Sequence, residues 1–179
     1  EKNSLIVRVL RSPHPYARIV KINKEKAEAL TGVECVLTHK DFKRIPITRA
    51  GQGYPEPSPH DKFILDEYVR HIGDEVAAVA AVDRETADRA LELLDVEYEV
   101  LEPVLDFEKA YENEIIIHPE PEIHEMFPIG FEPKKNIAAS YMMNVGDADK
   151  TLSQCDVVIS ETFYTQAQAH TMMEPHTAN

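Results

Sequence analysis

The chain has 179 residues, enough for one domain or one domain with a tail, and 43% of them are hydrophobic, which permits a real core. The formal net charge is −13, and residues 71–179 hold 6 Lys+Arg against 23 Asp+Glu while residues 1–70 hold 13 against 9. A surface this acidic repels a phosphate backbone, so nucleic acid is excluded as a partner, and the charge is read as a solubility device. No run approaches 18 consecutive apolar residues, so no membrane span is expected. The start, Glu1-Lys-Asn-Ser-Leu-Ile-Val, lacks a basic segment leading into an apolar run and reads as no signal peptide. The two cysteines, Cys35 and Cys155, sit in no CxxC or CxxH pair and are expected to be buried thiols of a reducing, cytoplasmic compartment.

In chain order, Leu5–Leu10 is apolar and β-branched and predicts a strand that runs into Arg11-Ser12-Pro13-His14-Pro15, where two prolines break the ladder. Arg18–Ile22 predicts a weaker strand, Asn23 a cap for a helix over Lys24–Leu30, and Gly32 its left-handed end. Glu34–Leu37 predicts a strand, with Thr38 capping a short turn at His39–Phe42. Residues 43–62 carry Pro46, Gly51, Gly53, Pro55, Pro57 and Pro59 and predict a long surface loop. Val69–Ile72 reads as a short strand and Gly73-Asp74 as a turn. Val76–Val82 reads as a buried strand, followed by a helix capped by Asp83 with Ala87, Ala90, Leu91 and Leu94 as its apolar stripe. Val96, Tyr98 and Val100 alternate with Glu97 and Glu99, a strand with one wet face.

The order strand–helix–strand therefore occurs twice, and predicts an α+β domain: a mixed sheet with two β-α-β units and helices packed on it. Residues 101–140 predict a loop-rich connector with a short helix near Asp106–Tyr111. Asp147 is a cap for Ala148–Gln154, and Val157–Thr165 reads as a long strand leaving the first domain. The expected division is 1–140 and 141–179.

Motifs for chemistry are scarce. Ser12, Ser58, Ser140, Ser153 and Ser160 lie in no nucleophile-elbow context, and no phosphate-binding glycine loop is present. His118 and His124 are six apart, as are His170 and His176, whereas helical ligand pairs sit three or four apart, so no metal site is expected here. His14, between two prolines, is expected to be a loop packing residue. The exception is Gln168-Ala-His170-Thr-Met-Met-Glu174-Pro175-His176, which puts an amide, a titratable imidazole and a carboxylate in one short stretch. Nothing follows that could close a pocket around it, so the chain reads as an accessory piece of a larger catalytic subunit. A polar strand-to-loop transition would look the same.

Longer blocks carry a resemblance. Val9-Leu10-Arg11-Ser12-Pro13-His14-Pro15-Tyr16-Ala17-Arg18-Ile19, Leu30-Thr-Gly32-Val33-Glu-Cys-Val36-Leu37-Thr38 with Asp41, and Val69-Arg70-His-Ile-Gly73-Asp74-Glu75-Val76-Ala77-Ala78-Val79 resemble the α/β hammerhead domain of the molybdenum-binding subunit in the xanthine dehydrogenase and aldehyde oxidase family. Ala90-Leu91, Val96-Glu97-Tyr98-Glu99 and Pro103-Val104 continue it, and Asn136-Ile137, Gly146-Asp147 and Gln168–His176 resemble the run into that family's first cofactor domain. The resemblance implies a molybdopterin cofactor, with iron–sulfur clusters and FAD on partner domains or subunits. It also implies hydroxylation of a purine, another N-heterocycle or an aldehyde as the small-molecule substrate. The family's glycine-rich cofactor loop, the glutamine near the molybdenum and its late catalytic glutamate have no counterpart here. The chain is therefore expected to be structural, without catalytic residues or a metal of its own, packing against downstream molybdopterin-binding domains. Gln168, His170 and Glu174 would lie near the cofactor without holding the metal. Two other readings stay open from the residues alone: a stand-alone adaptor presenting loop 43–62, and a small metal-binding protein using the scattered histidines.

Overall fold

The computed structural model describes residues 4–49, 57–168, 171 and 173. The chain divides into two compact units, Glu1–Tyr141 and Met142–Asn179.

The first unit is built on two three-stranded sheets. Strands β1 (Ile6–Arg11), β5 (Glu75–Ala81) and β3 (Val33–Thr38) form one, with β5 central. Strands β4 (Tyr68–Val69), β2 (Ala17–Asn23) and β6 (Asp95–Val100) form the other, with β2 central. Helices α1 (Glu25–Glu28) and α2 (Arg84–Glu92) cover the β1-β5-β3 sheet.

The central strand explains the layering. Val76 of β5 packs with Ala17, Ile19 and Val69 from the second sheet, joined by Leu10, Ile22, Val96 and Tyr98. Val79, three residues on and hence on the opposite face, packs with Ala27 of α1, Ala90 of α2 and Val36 of β3. A strand covered on both faces has no position for a polar side chain, which is why residues 76–81 read Val-Ala-Ala-Val-Ala-Ala without alternation. Ala27 and Ala90, both fully buried, let the two helices sit close to the sheet.

The α+β class holds, but the sheet arrangement differs from expectation. Every pairing between the described strands is antiparallel. In both strand–helix–strand stretches the two strands belong to different sheets: β2 and β3 in one case, β5 and β6 in the other. Among the described residues there is thus no mixed sheet; each of these helices carries the chain from one sheet to the other. The wet face of β6, with Glu97 and Glu99, suits an antiparallel sheet that keeps one side in water.

Local signals mostly held. Thr38 and Asp41 form a reciprocal capping box on the 3-10 turn His39–Asp41, and the Asp83 carboxylate accepts from Thr86 N at 2.8 Å. Gly32 has φ +94°. The α1 prediction was too long and wrongly capped: Lys24 takes the cap position without a side-chain bond, while Asn23 stays on β2 and donates to Asp95 at 2.9 Å. The cysteines also differ. Both are free and exposed. Cys35 lies on edge strand β3 where the register shifts between Val33 and Cys35, which turns the thiol outward.

Loop 43–62 is closed at its base by paired backbone hydrogen bonds between Ile47 and Lys62 (2.6 and 3.1 Å); residues 50–56, including Gly51 and Gly53, fall outside the described set. The 101–140 connector is more organised than predicted. His124 pairs with His60 through backbone bonds of 2.7 and 3.3 Å, and their rings stack 4.8 Å apart. Asn136, at φ +58°, accepts from Ile117 N and donates to Ala110 O and Ile115 O, each at 2.9 Å. One side chain thus satisfies three backbone groups, on two loop stretches that have no ladder of their own.

In the second unit, Asp147 caps α3 (Ala148–Ser153) through Lys150 N at 2.9 Å. The strand predicted over 157–165 is not formed; these residues are exposed and have no hydrogen-bonded neighbour strand among the described residues. β-branched residues favour an extended chain, but a strand exists only beside a partner.

Candidate functional site

The densest chemistry in the described residues is a set of buried ion pairs at the end of the β4-β2-β6 sheet. Asp66 and Arg70 flank β4, the loop after β3 brings Arg44, and the connector brings Glu120. Arg44 forks onto Asp66 (3.0 and 3.2 Å) and reaches Glu120 at 3.2 Å. Arg70 binds Asp66 at 2.8 Å and Glu120, and donates to the carbonyls of Ile117 (3.1 Å) and Tyr68 (3.2 Å). The side chains of Asp66, Glu120 and Arg70 are less than a tenth exposed. Burial alone raises the Asp66 carboxyl, but hydrogen bonds from the two guanidiniums outweigh it and hold the group below the usual carboxylate range. The Arg44 guanidinium also lies 3.9 Å over the ring of Phe63, which is 1% exposed.

A second cluster sits one turn along. Asp74 is buried and accepts from Lys62 and from the backbone N–H of Arg70 at 2.8 Å. Burial raises this carboxyl too, and the Lys62 and Arg70 hydrogen bonds bring it below its ordinary value. Asp74 O accepts from Ser12 N and Ser12 O from Gly73 N, both at 2.8 Å, which locks the β1–β2 turn onto the β4–β5 turn. Ser12 Oγ accepts from His14 N at 3.0 Å and donates to His14 O at 2.9 Å, so Ser12 organises its own turn. His14 packs edge-on against Tyr98, 5.0 Å between centroids.

Two buried polar atoms face each other without a partner: His118 Nδ1 and Glu120 Oε2, 3.8 Å apart. Burial first, and then the Arg70 charge, push His118 down to about 4, so it is neutral at pH 7.

Chemically, these groups neutralise one another. The cations are spent on carboxylates and carbonyls. Their role is to bind the connector and the loop after β3 to the sheet. Sequence reasoning missed them because Arg44–Glu120 and Arg70–Glu120 are 76 and 50 residues apart. The four-residue spacing of Asp66 and Arg70 was visible, but carries meaning only on a helix, and this stretch is not one.

Of the predicted site residues, Gln168 is exposed, and His170 and Glu174 lie outside the described residues. Among the described residues no three His, Cys, Asp or Glu converge as a metal site. From residue 131 onward the cavity lined by Phe131, Pro133, Asn136 and Ile137, together with Asp61, Ile117 and His118, encloses only about 190 Å³. Ligand clefts run ~300–1,000 Å³, so this space is too small for a pterin cofactor.

Comparison with known proteins agrees with the fold. The family model described as aldehyde oxidase and xanthine dehydrogenase, a/b hammerhead domain, matches residues 1–102, and that described as molybdopterin cofactor-binding domain matches residues 131–179. The probable hypoxanthine oxidase XdhD of Escherichia coli (strain K12) is 41% identical, over 93% of this chain and 20% of its own length. The nicotinate dehydrogenase large molybdopterin subunit of Eubacterium barkeri is 33% identical, over 93% of this chain and 35% of its own. Among solved structures, the aldehyde oxidoreductase from Desulfovibrio gigas superposes with a TM-score of 0.61 at 25% identity, covering 88% of this chain and 16% of that one. The CO dehydrogenase from Oligotropha carboxidovorans does so at 0.54 and 35% identity, covering 64% and 14%. The chain thus spans between 20% and 35% of the length of these two curated relatives. With more than half of its residues in the matched hammerhead domain and the remainder running into the matched cofactor-binding domain, the chain belongs to the aldehyde oxidase and xanthine dehydrogenase family.

Proposed function

We propose that this chain supplies the hammerhead scaffold and the opening of the molybdopterin-binding domain in a molybdenum hydroxylase that oxidises a purine, another N-heterocycle or an aldehyde. The observation that carries this is the succession, in one chain, of a hammerhead match over 1–102 and a cofactor-domain match over 131–179. We read 1–140 as the hammerhead with its connector and 141–179 as the start of the cofactor domain. In this reading the molybdenum cofactor is held by further polypeptide, and iron–sulfur clusters and FAD on partner domains or subunits carry electrons away. The hard chemistry belongs to the cofactor, and the protein supplies binding and orientation.

In this reading no reaction step is assigned to the described residues. Their contribution in this reading is mechanical: a core buried on both faces of β5 and a clasp of ion pairs that fixes the connector to the sheet. Gln168, His170 and Glu174 are proposed to lie beside the cofactor and orient it without holding the metal. No described helix is long and apolar enough to cross a membrane. Two free thiols favour a reducing, cytoplasmic setting.

The test is to express the complete gene containing these residues in a host that makes the molybdenum cofactor and assay the product against hypoxanthine, nicotinate and benzaldehyde with an artificial electron acceptor. Molybdenum-dependent turnover of one class is expected. A pure, metal-loaded product inert to all three classes would refute the reading. Replacing Gln168, His170 or Glu174 with Ala is expected to lower activity at unchanged protein yield; unaltered kinetics in all three would remove them from the cofactor region.

A further inference from the structure

The cavity of about 190 Å³ beside the connector has an apolar wall of Ile117, Phe131, Pro133, Ile137 and Ala138. The rest of its lining is polar: Asp61, His118 and Asn136. At about 30 Å³ for each water-sized group, it has room for an organic molecule of about six non-hydrogen atoms.

The polar end is short of donors. Asn136 has nothing left to offer, because its side chain is spent on Ile117 N, Ala110 O and Ile115 O. Asp61 is half-buried, and its carboxylate has no hydrogen-bond or ion-pair partner among the described residues. A carboxylate can only accept.

His118 adds a second acceptor. Its Nδ1 is buried and faces Glu120 Oε2 across 3.8 Å, and neither atom has a partner. The Glu120 carboxylate, held through Oε1 by Arg44 and Arg70, is an acceptor too. The proton of the neutral imidazole therefore belongs on Nδ1, where it points at Oε2, and the lone pair falls to Nε2. Nε2 has no partner among the described residues and is not enclosed as Nδ1 is. The charge of Asp61 is unmatched as well. Arg70 and Lys62, the two cations that act on His118, are committed to Asp66 and Glu120 and to Asp74 and Glu75.

We propose that this cavity binds a small alkylammonium ion, whose N–H groups are donated to the Asp61 carboxylate and His118 Nε2 and whose hydrocarbon chain lies on Ile117, Phe131 and Ile137. A ligand N–H on Nε2 holds the ring in the tautomer that directs Nδ1–H at Glu120, so occupancy gives both orphaned atoms a partner. An alcohol of the same length brings one donor to two acceptors and no charge to Asp61, and a carboxylate of the same length is repelled.

The test follows the methyl signals of Ile117 and Ile137 in the full chain by NMR while n-butylammonium, n-butanol or butyrate is added at constant ionic strength. n-Butylammonium is expected to shift both methyls with a Kd of about 1 mM or tighter, and to bind at least about tenfold tighter than n-butanol. Butyrate is expected not to bind. Asp61→Asn and His118→Leu are each expected to weaken n-butylammonium by about tenfold or more, with the circular dichroism spectrum unchanged. Asp149→Asn, which removes the same charge from an exposed position in the second unit, should leave the affinity as it was. Nα-acetyl-lysine N-methylamide separates the two sources of the group. Binding at least as tight as n-butylammonium assigns the cavity to a lysine side chain of another polypeptide, and weaker binding assigns it to a free amine. No methyl shift with n-butylammonium, equal binding of n-butanol, full binding by Asp61→Asn, or equal weakening by Asp149→Asn would overturn the proposal.

Discussion

Replacing Arg70 with Met tests whether the buried ion pairs hold the connector to the sheet. The arginine is 9% exposed and serves two carboxylates, Asp66 and Glu120, that are 5% and 8% exposed. Its removal leaves both charges buried, and deprives the Ile117 and Tyr68 carbonyls of a donor. Breaking a buried pair by deleting one partner typically costs about 3–5 kcal/mol. Arg44 still reaches Asp66 at 3.0 Å and Glu120 at 3.2 Å, so the lower end applies, about 3 kcal/mol. For a chain of this size each kcal/mol shifts the melting midpoint by about 2–4 °C, which gives a fall of roughly 6–12 °C. Urea unfolding followed by circular dichroism would measure the loss, with the denaturant slope unchanged. The double variant Arg70→Met, Glu120→Gln removes one of the stranded charges, and about 1–2 kcal/mol should be recovered relative to Arg70→Met alone. A single-variant cost under about 1 kcal/mol, or a double variant whose cost is the plain sum of the two singles, would refute the clasp.

The remaining predictions concern the same unit. Asn136→Gly keeps the left-handed backbone but loses the bonds to Ile117, Ala110 and Ile115; it should cost about 2–3 kcal/mol in the same urea assay and increase amide exchange at Ile117. Gly32→Ala places a Cβ 2.9 Å from Val82 Cγ2 at φ +94°, and should destabilise by about 1–3 kcal/mol, measured as a drop in melting midpoint. His118 takes up its proton near pH 4 when folded and near 6.5 when unfolded. The unfolded chain therefore binds the extra proton between those values, and stability falls as pH drops from about 6.5 to about 4. His118→Gln should flatten that window, while the fall below about pH 4, where Asp66 and Asp74 gain protons, should remain. An unchanged slope between pH 6.5 and 4 would exclude His118 as its source.

What was legible in the sequence was local. Asp83 before an apolar stripe, Thr38 before Asp41, and Gly32 after a helix each encode a hydrogen bond or dihedral within a few residues, and each formed. The unbroken Val-Ala run of β5 showed that it was covered on both faces, though not that sheets and helices divided those faces between them. Strand–helix–strand order suggested parallel neighbours, yet whether the second strand returns to the same sheet depends on packing across layers. Cys35 looked buried from its apolar neighbours; a one-residue register shift on β3 reversed its side. The stretch 157–165 has strand composition, but composition cannot supply a partner strand. The clasp of Arg44, Asp66, Arg70 and Glu120 depends on contacts between residues far apart in the chain, for which no short motif exists. The family resemblance, by contrast, was readable because it rests on many short blocks in order, and the matches over 1–102 and 131–179 bear it out.

These residues are proposed as scaffold for a metal centre held by further polypeptide. The most direct test is the molybdenum content of the 179-residue chain, purified in folded form from cells that make the cofactor in excess. Molybdenum at trace level beside a cooperative unfolding transition is expected; a folded chain that carries the metal in stoichiometric amount and turns over a purine or aldehyde would refute the proposal.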